Sequence, residues 1–539
     1  MPSQTSRAQL LARLDTQWDV LIIGGGITGA GILLEAARRG LRALLIEQRD
    51  FAWGTSSRSS KLVHGGLRYL KEGQIGLTRE SVRERQRLMD EAPGLVEPQS
   101  FMFADYAGRK PGRWLFSLGL AIYDRFAGVK TRAYDRPGEL RMLAPHIAEA
   151  GLKGGLRYLD AKTDDARLVI RVLQEARNKG GEAINYLACT GLLRDAQGVC
   201  GAEVEDRISG QRHTIRAGVV INATGAWADT LRGQIKQPKK LRPLRGSHLL
   251  FPFWRLPVAQ SVSLMHPADG RPVFFYPWEG ATLVGTTDLD HGDLDSEPHI
   301  TADEVAYLMA ALHFQFPALQ LTLDDIISSY AGVRPVVSTG QADPSKEGRD
   351  HVCWLEDGLL TVTGGKLTTF RVIALDALEQ AAKRLGRTLP AMDEAAPLFE
   401  PPARLNGHVP LDARPRLSGR YGPLAAQVAA NVAEADWQRI PGTDTRWLEL
   451  SWAARHESVE HLDDLLLRRT RIGLLLPHGG AAHLPRIRAL CQTGLGWDDV
   501  RWAAEEANYR ALIASHYSLP PREQIADWRQ PTTQQPASQ

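Results

Sequence analysis

Val20-Leu21-Ile22-Ile23-Gly24-Gly25-Gly26-Ile27-Thr28-Gly29 is an apolar run that passes through a glycine turn into a segment of helical spacing. The next apolar run, Ala43-Leu44-Leu45-Ile46, ends on Glu47. Strand, turn, helix, strand and acid follow in the order of a dinucleotide-binding βαβ unit. Gly24 permits the sharp turn, Gly26 leaves room for a pyrophosphate against the backbone, and Gly29 lets the helix lie close to the strand. Ile27 and Thr28 open the helix, whose N–H groups and positive dipole end suit phosphates. Glu47 stands near the spacing of about 20 residues at which an acid accepts hydrogen bonds from a ribose diol. A glycine turn alone also fits an unrelated α/β unit; the full set of strand, helix and acid points to a bound dinucleotide.

The 539 residues suffice for a sizeable core and, on length, about two to four domains. A net charge of +3 gives no support to nucleic-acid binding as the main task. Cys189, Cys200, Cys353 and Cys491 form no CxxC pair and no metal spacing, so no metal is expected and a reducing cytoplasm fits. Residues 1–17 lack the continuous apolar core of a secretory signal and read as a frayed terminus. No stretch approaches the roughly 20 uninterrupted apolar residues of a membrane span, so the chain is expected to be soluble or bound to a membrane surface.

The βαβ unit runs from about Asp19 to Phe51, and a polar, serine-rich stretch from Trp53 to Lys61 follows it. Thr78 to Glu91 reads as an exposed charged helix. Asp164 to Lys179 reads as a helix with Asp164 and Asp165 in its first turn, where the dipole favours acids. Val219-Val220-Ile221-Asn222 enters a second glycine turn at Ala223-Thr224-Gly225, and Leu359 to Thr363 enters a third at Gly364-Gly365-Lys366. Three such passages predict an α/β fold with one discontinuous Rossmann-like nucleotide domain over 18–95, 156–238 and 330–390. Residues 96–155 and 239–329 then form a sheet-rich substrate domain, with strands marked by alternation in Val273–Tyr276 and Thr282–Gly285. Pro397, Pro401 and Pro402 mark a linker to a separate all-α domain over 400–520, with helices expected over 424–435, 446–454, 462–476, 484–493 and 497–515. Residues 529–539, rich in Gln, Pro, Ser and Thr, read with 1–17 as flexible termini.

The stretches IIGGGITGAG, TSSRSSKLVHGGLRYL, DDARLV, INATGAWAD, RGSHLL, VGTTD, AGVRP and GGKLTTFR resemble those of the FAD-dependent glycerol-3-phosphate dehydrogenases, within the wider glycine oxidase and amino-acid oxidase class of flavoproteins. With the LLLRRTRIG stretch of the helical segment, the resemblance spans Asp19 to Ser518. HGGLRYL and GGKLTT are much more specific than the glycine fingerprint. Leu33, Glu35 and Phe370 depart from the family's usual Ala, Asp and Tyr, as packing-level changes. The resemblance implies FAD as the cofactor, sn-glycerol 3-phosphate as the substrate, dihydroxyacetone phosphate as the product and a membrane quinone as the acceptor. It also implies a cytoplasmic protein peripheral to the inner face of the cell membrane, and it allows a homodimer. An oxidase that passes electrons to dioxygen and an FAD-binding protein without turnover are the alternatives.

This chemistry needs a phosphate grip, a group that favours alkoxide character and a dry pocket. Arg68 offers paired planar donors to phosphate oxygens, and Tyr69 adds a hydroxyl; an ordinary ion pair is the plainer reading of Arg68. Lys366, after two glycines at a helix start, suits either the substrate phosphate or a cofactor group, and the resemblance favours the first. A solvated lysine is the alternative, although the dipole disfavours a cation there. Arg334, biased to an extended backbone by Pro335, would stabilise negative charge on the C2 oxygen, or else form a salt bridge beneath the sheet. His248 has a pKa suited to a general base for the C2 hydroxyl, with a hydrogen-bonded core histidine as the alternative. His64, beside Gly65, is its rival, with a place near the flavin. The resemblance lays Thr55, Ser56, Ser59, Ser60 and Lys61 along the FAD, with Ala223, Thr224 and Gly225 at the second turn. It puts Gly364, Gly365, Leu367 and Thr368 beside the ring at the third turn, and Thr287 and Asp288 at the pocket.

Arg109-Lys110-Pro111-Gly112-Arg113-Trp114-Leu115-Phe116, continued by Leu118, Leu120, Ile122, Tyr123, Arg125, Phe126, Lys130 and Arg132, mixes basic and aromatic residues as an interfacial segment does. A core-facing helix with solvated basic flanks is the alternative. A quinone acceptor requires access to the bilayer and favours an anionic membrane surface, where each basic residue contributes roughly 1 kcal/mol.

Overall fold

The computed structural model describes residues 7–67, 73–108, 112–340, 347, 350–391 and 396–529. The glycine-turn stretch folds as expected. Trp18–Ile23 is a strand that runs parallel to Ala43–Ile46 on one side and to the second half of Arg212–Asn222 on the other. A strand enclosed on both faces carries a continuous apolar run, so this segment lacks polar alternation. From one edge to the other, the first sheet runs His351–Glu356, Leu359–Gly364, Arg212–Asn222, Trp18–Ile23, Ala43–Ile46 and Glu182–Ile184, parallel except at the first of these. The first half of Arg212–Asn222 instead pairs antiparallel with Gly198–Asp206, which pairs in turn with Leu187–Asp195.

Successive residues of a strand point to opposite faces. Val20 and Ile22 therefore join one core with helices Ile27–Arg38, Asp165–Asn178 and Phe370–Leu385, while Leu21 and Ile23 join another with Leu10, Leu14, Val199 and Leu231. The departures from the family pattern are packing features. A side chain at Gly31 would come within 2.8 Å of the Phe370 ring, Leu33 is fully buried, and Glu35 pairs with Arg38 and Arg39. The leader expected to fray is docked from residue 7 onward: Arg7–Leu11 is a short helix, Leu10 and Leu14 are buried, and Arg7 donates to the Asn185 carbonyl at 2.6 Å. Buried apolar side chains and a held arginine outweigh the disorder that its polar neighbours suggest.

The second sheet has ten strands among the described residues. Val96–Tyr106 pairs with Leu152–Thr163, and Leu241–Pro252 with both Ala281–Gly285 and Ser328–Val337. The divisions expected at 155/156 and 329/330 fall inside Leu152–Thr163 and Ser328–Val337, whose ladders stay within this sheet. The helix Ile75–Glu91 is not simply exposed: Ser81, Glu84 and Arg85 are buried, with Glu84 paired to Arg371 and Arg85 to Asp160.

The C-terminal region is helical, with helices Trp447–His456, Leu484–Leu495 and Asp499–Leu512. The run expected over 424–435 breaks into Ala425–Val428 and Glu434–Trp437, with Asn431 in the left-handed conformation between them. The run over 462–476 splits into Asp464–Arg469 and Ile472–Leu475 at Arg471, whose φ is +62°. Part of this region has a small core of its own around Leu417, Tyr421 and Leu448, while Leu450, Leu465, Leu466 and Trp502 share an apolar cluster with Tyr276, Trp278 and Tyr330 of the second sheet.

Candidate active site

Trp18–Ile23, Ala43–Ile46, Arg212–Asn222 and Leu359–Gly364 end side by side, with Ile23 opposite both Ile46 and Asn222, and Asn222 opposite Thr361. The three glycine turns are therefore neighbours at the carboxyl ends of parallel strands, where open α/β sheets bind their ligands. Gly24 has φ +119°, and a side chain there would lie 2.5 Å from the Ala223 carbonyl oxygen. A side chain at Gly29 would lie 1.9 Å from the Gly24 carbonyl oxygen, so helix and turn touch only through glycine. Gly26 opens the Ile27–Arg38 helix without a side-chain cap, and the Ile27 N–H donates to Ser56 Oγ at 2.9 Å. The Glu47 carboxylate accepts the N–H groups of Gly25 at 2.7 Å and Arg49 at 2.9 Å; burial raises its pKa.

In the second turn Asn222 Oδ1 accepts Thr224 Oγ1 at 2.7 Å, while Gly225 faces open space, with nothing within 4 Å of a would-be Cβ. Thr363 Oγ1 donates to the Gly225 carbonyl at 3.1 Å and ties the second turn to the third, where Gly364 and Gly365 have φ of +77° and +71°. A helix start whose glycine N-cap has no side chain, a carboxylate with lone pairs to spare and a glycine backbone open on one side fit an extended dinucleotide such as FAD.

Residues 55–61 form a strap from this turn toward the second sheet. Thr55 Oγ1 donates to the Val333 carbonyl at 2.5 Å, and Ser59 donates to Asp165 Oδ2 from Oγ at 2.7 Å and from its N–H at 3.0 Å. Tyr330 donates to the Ser59 carbonyl at 2.8 Å, and Tyr276 donates to the Ser60 carbonyl. Lys61 corrects one expectation. Its ammonium is fully buried and donates to Asp165 Oδ1 at 3.0 Å and the Ser57 carbonyl at 2.9 Å, so the side chain holds the strap from inside and does not line a cofactor groove. Burial, with Arg471 nearby, lowers its pKa to about 8.

His248 corrects another. It is 1% exposed, its ring stacks on Tyr330 at 4.6 Å, Nε2 meets Ser60 Oγ at 2.9 Å, and Nδ1 is buried with no hydrogen-bond partner among the described residues. Burial, aided by Arg334 and Lys61, holds its pKa well below the usual value of 6.5. A base must reach the proton it takes, and in this structure the ring is closed in, which supports the plainer reading of a hydrogen-bonded core histidine.

His64 is half-buried, and its backbone is clasped by the third turn: its N–H donates to Thr368 Oγ1 at 3.1 Å, and Thr368 Oγ1 donates to its carbonyl at 3.2 Å. Gly65 is packed so that a side chain would lie 2.3 Å from the Tyr123 hydroxyl. Lys366, just before the Leu367–Thr369 turn, donates to Ser81 Oγ at 3.2 Å. Arg334 forms the salt bridge of its alternative reading, to Asp288 at 2.7 Å, and also donates to Thr286 Oγ1 at 3.0 Å. Asp288 is shared with Arg271 at 3.0 Å. Thr287 is turned instead toward Glu304, at 2.6 Å. Arg68 and Tyr69 lie outside the described residues.

Asp165, Tyr276, Tyr330 and Arg471, which shape the strap, carried no such role in the sequence. Asp165 read as a helix-dipole acid; the signal available was that DDARLV and LLLRRTRIG both belong to the stretches that carry the family resemblance.

A profile of the FAD-dependent oxidoreductase family matches residues 19–371, and one of the C-terminal domain of alpha-glycerophosphate oxidase matches residues 374–502. Aerobic glycerol-3-phosphate dehydrogenase of Staphylococcus saprophyticus is 41% identical over 378 residues, 69% of this chain and 68% of its own length. The Staphylococcus aureus protein of that name is 41% identical over 68% of each. The structure of glycerol-3-phosphate dehydrogenase from Bacillus halodurans complexed with FAD aligns over 97% of this chain and 98% of its own, with TM-score 0.73 and 27% identity. L-alpha-glycerophosphate oxidase from Mycoplasma pneumoniae, 18% identical, shares the fold over 72% of this chain and all of its own, with TM-score 0.57. The chain therefore belongs to the FAD-dependent oxidoreductase family, among its glycerol-3-phosphate dehydrogenases and oxidases, with FAD as its cofactor.

Proposed function

We propose that this protein oxidises sn-glycerol 3-phosphate to dihydroxyacetone phosphate and hands the electrons to a quinone at an anionic membrane surface. When bound, FAD supplies at N5 the acceptor of the C2 hydride. Arg68, Tyr69 and Lys366 hold the substrate phosphate, since guanidinium and ammonium groups beside glycine backbone suit a dianion. Arg334, which meets Asp288 beside Arg271, favours negative charge on the C2 oxygen. His64 takes the hydroxyl proton, because His248 is enclosed.

One observation carries the acceptor reading. The helix Arg113–Ala127 buries Leu120 and Tyr123 but turns Trp114, Leu115 and Leu118 outward, at 81%, 67% and 60% exposure. The two readings of this segment thus describe its two faces. Arg113, Arg125 and Lys130 flank the apolar face, as in helices that lie in a membrane interface. Arg109 and Lys110 lie outside the described residues, and no helix among those described is long and apolar enough to cross a membrane.

The test is product accounting. With glycerol 3-phosphate and a quinone analogue in air-saturated buffer, quinol should form in step with the ketone product, and peroxide should stay well below it. Peroxide equal to product, with the quinone untouched, would assign the oxidase reading instead.

A further inference from the structure

The C-terminal region meets the strap at Arg471, a buried residue for which the proposed chemistry has no use. Its guanidinium serves four acceptors at once, one of them the Leu467 carbonyl of its own segment, reached from Nη1 at 2.7 Å. Nε donates to Asp164 Oδ1 at 2.8 Å, Nη1 to the Ser57 carbonyl at 3.2 Å, and Nη2 to Asp165 Oδ1. Asp165 takes both donors of Ser59 on its other oxygen, at 2.7 and 3.0 Å. The strap so held touches the dinucleotide turn through Ser56 and Ile27 at 2.9 Å, and His248 through Ser60 at 2.9 Å. A planar fork fixes two carboxylates and a carbonyl in one geometry, which a point charge on a flexible stem does not do. With the guanidinium removed, Lys61 would be the one cation left on Asp165, and its ammonium also holds the Ser57 carbonyl. Asp165 would then be held by Lys61, which already reaches both of its oxygens at 3.0 and 3.2 Å, and by the Ala166 N–H at 3.0 Å, and the rigid fork that joins it to Asp164 and the Ser57 carbonyl would be gone.

We propose that Arg471 is a positioning residue for the cofactor site: it sets the orientation of Asp165 and the path of Ser57, and so keeps the strap in register against the glycine turn. The C-terminal region thereby acts on FAD through the strap. This rests on FAD binding alone, and neither on the electron acceptor nor on the proton-transfer roles.

The test compares holoenzymes. Arg167 is an equally buried arginine joining helix Asp165–Asn178 to the C-terminal region, bonded to Glu457 twice at 2.6 Å, and no hydrogen bond from it to the strap is found among the described residues. Arg471→Gln and Arg167→Gln should both lower the melting temperature. Only Arg471→Gln should weaken FAD binding, by about tenfold or more, the scale on which supporting partners of bound groups act; flavin fluorescence on release reads this directly. Arg471→Lys should fall between. Equal flavin release from both glutamine variants, or wild-type retention in Arg471→Gln, overturns the proposal. Should Arg471→Gln not fold, Arg471→Lys and Ser59→Ala form a cycle through Asp165. Their double variant should lose less affinity than the product of the singles, and a full product overturns the proposal. The wild-type holoenzyme is the reference, so a failure of FAD binding itself shows before any variant is compared.

Discussion

At the scale of single residues, solvent access separates two histidines, His248 and His64. His248 has its ring stacked and both nitrogens enclosed, with a depressed pKa. The sign of its effect on stability follows. Below the ordinary pKa of 6.5 the unfolded chain takes up a proton that the folded site excludes, so this residue costs stability as pH falls, and the cost is absent above that value. The slope is at most about 1.4 kcal/mol per pH unit. His248→Phe keeps the stacked ring and removes the titration. Its unfolding free energy should therefore decline less steeply than wild type between about pH 7.5 and 5.5, by up to that slope; parallel curves would show that the site does not exclude the proton. His64→Asn should lower kcat by about 10²- to 10⁴-fold with little change in KM, the range for a lost general base. A larger kcat loss in His248→Phe than in His64→Asn would reverse the assignment.

Among the elements, the buried strands could be read from the chain as apolar runs, whereas the partners of buried charges could not. Trp18–Ile23 and Leu359–Gly364 announced themselves as apolar runs before glycines, because strands covered on both faces carry little else. The helix Ile75–Glu91 read as exposed because its buried residues include Glu84 and Arg85, whose partners Arg371 and Asp160 lie far along the chain. Arg471 and Asp165 are 306 residues apart, and no local periodicity connects them. The run over 462–476 had the right residues for one helix, but a left-handed Arg471 breaks it to aim the guanidinium inward. The Arg113–Ala127 helix shows the opposite case, an apolar face left bare. Each large apolar side chain moved out of water is worth about 1.5–3 kcal/mol, so Trp114, Leu115 and Leu118 together outweigh the flanking basic residues at roughly 1 kcal/mol each. Replacing those three with Gln should abolish flotation with anionic vesicles and leave activity on a soluble electron acceptor intact. Undiminished flotation would remove this helix as the membrane contact.

Across the whole molecule, three turns from distant parts of the chain, the strap and the C-terminal region converge on one place. The ion pairs behind them are almost wholly enclosed: Lys61 with Asp165, Arg471 with Asp164, and Arg420 with Asp164 and Glu279. Breaking one such pair typically costs about 3–5 kcal/mol, a large share of a stability of roughly 5–15 kcal/mol, while apolar replacements of like volume are often neutral. The network therefore serves to hold geometry more than to add stability, and the geometry it holds is that of the flavin pocket. The substrate we propose for that pocket is a phosphorylated secondary alcohol. Anaerobic titration of the yellow holoenzyme with sn-glycerol 3-phosphate tests this most directly. The oxidised-flavin absorbance should bleach in proportion to substrate added, with dihydroxyacetone phosphate formed; flavin that stays oxidised under glycerol 3-phosphate, or bleaches only with an amine, would contradict it.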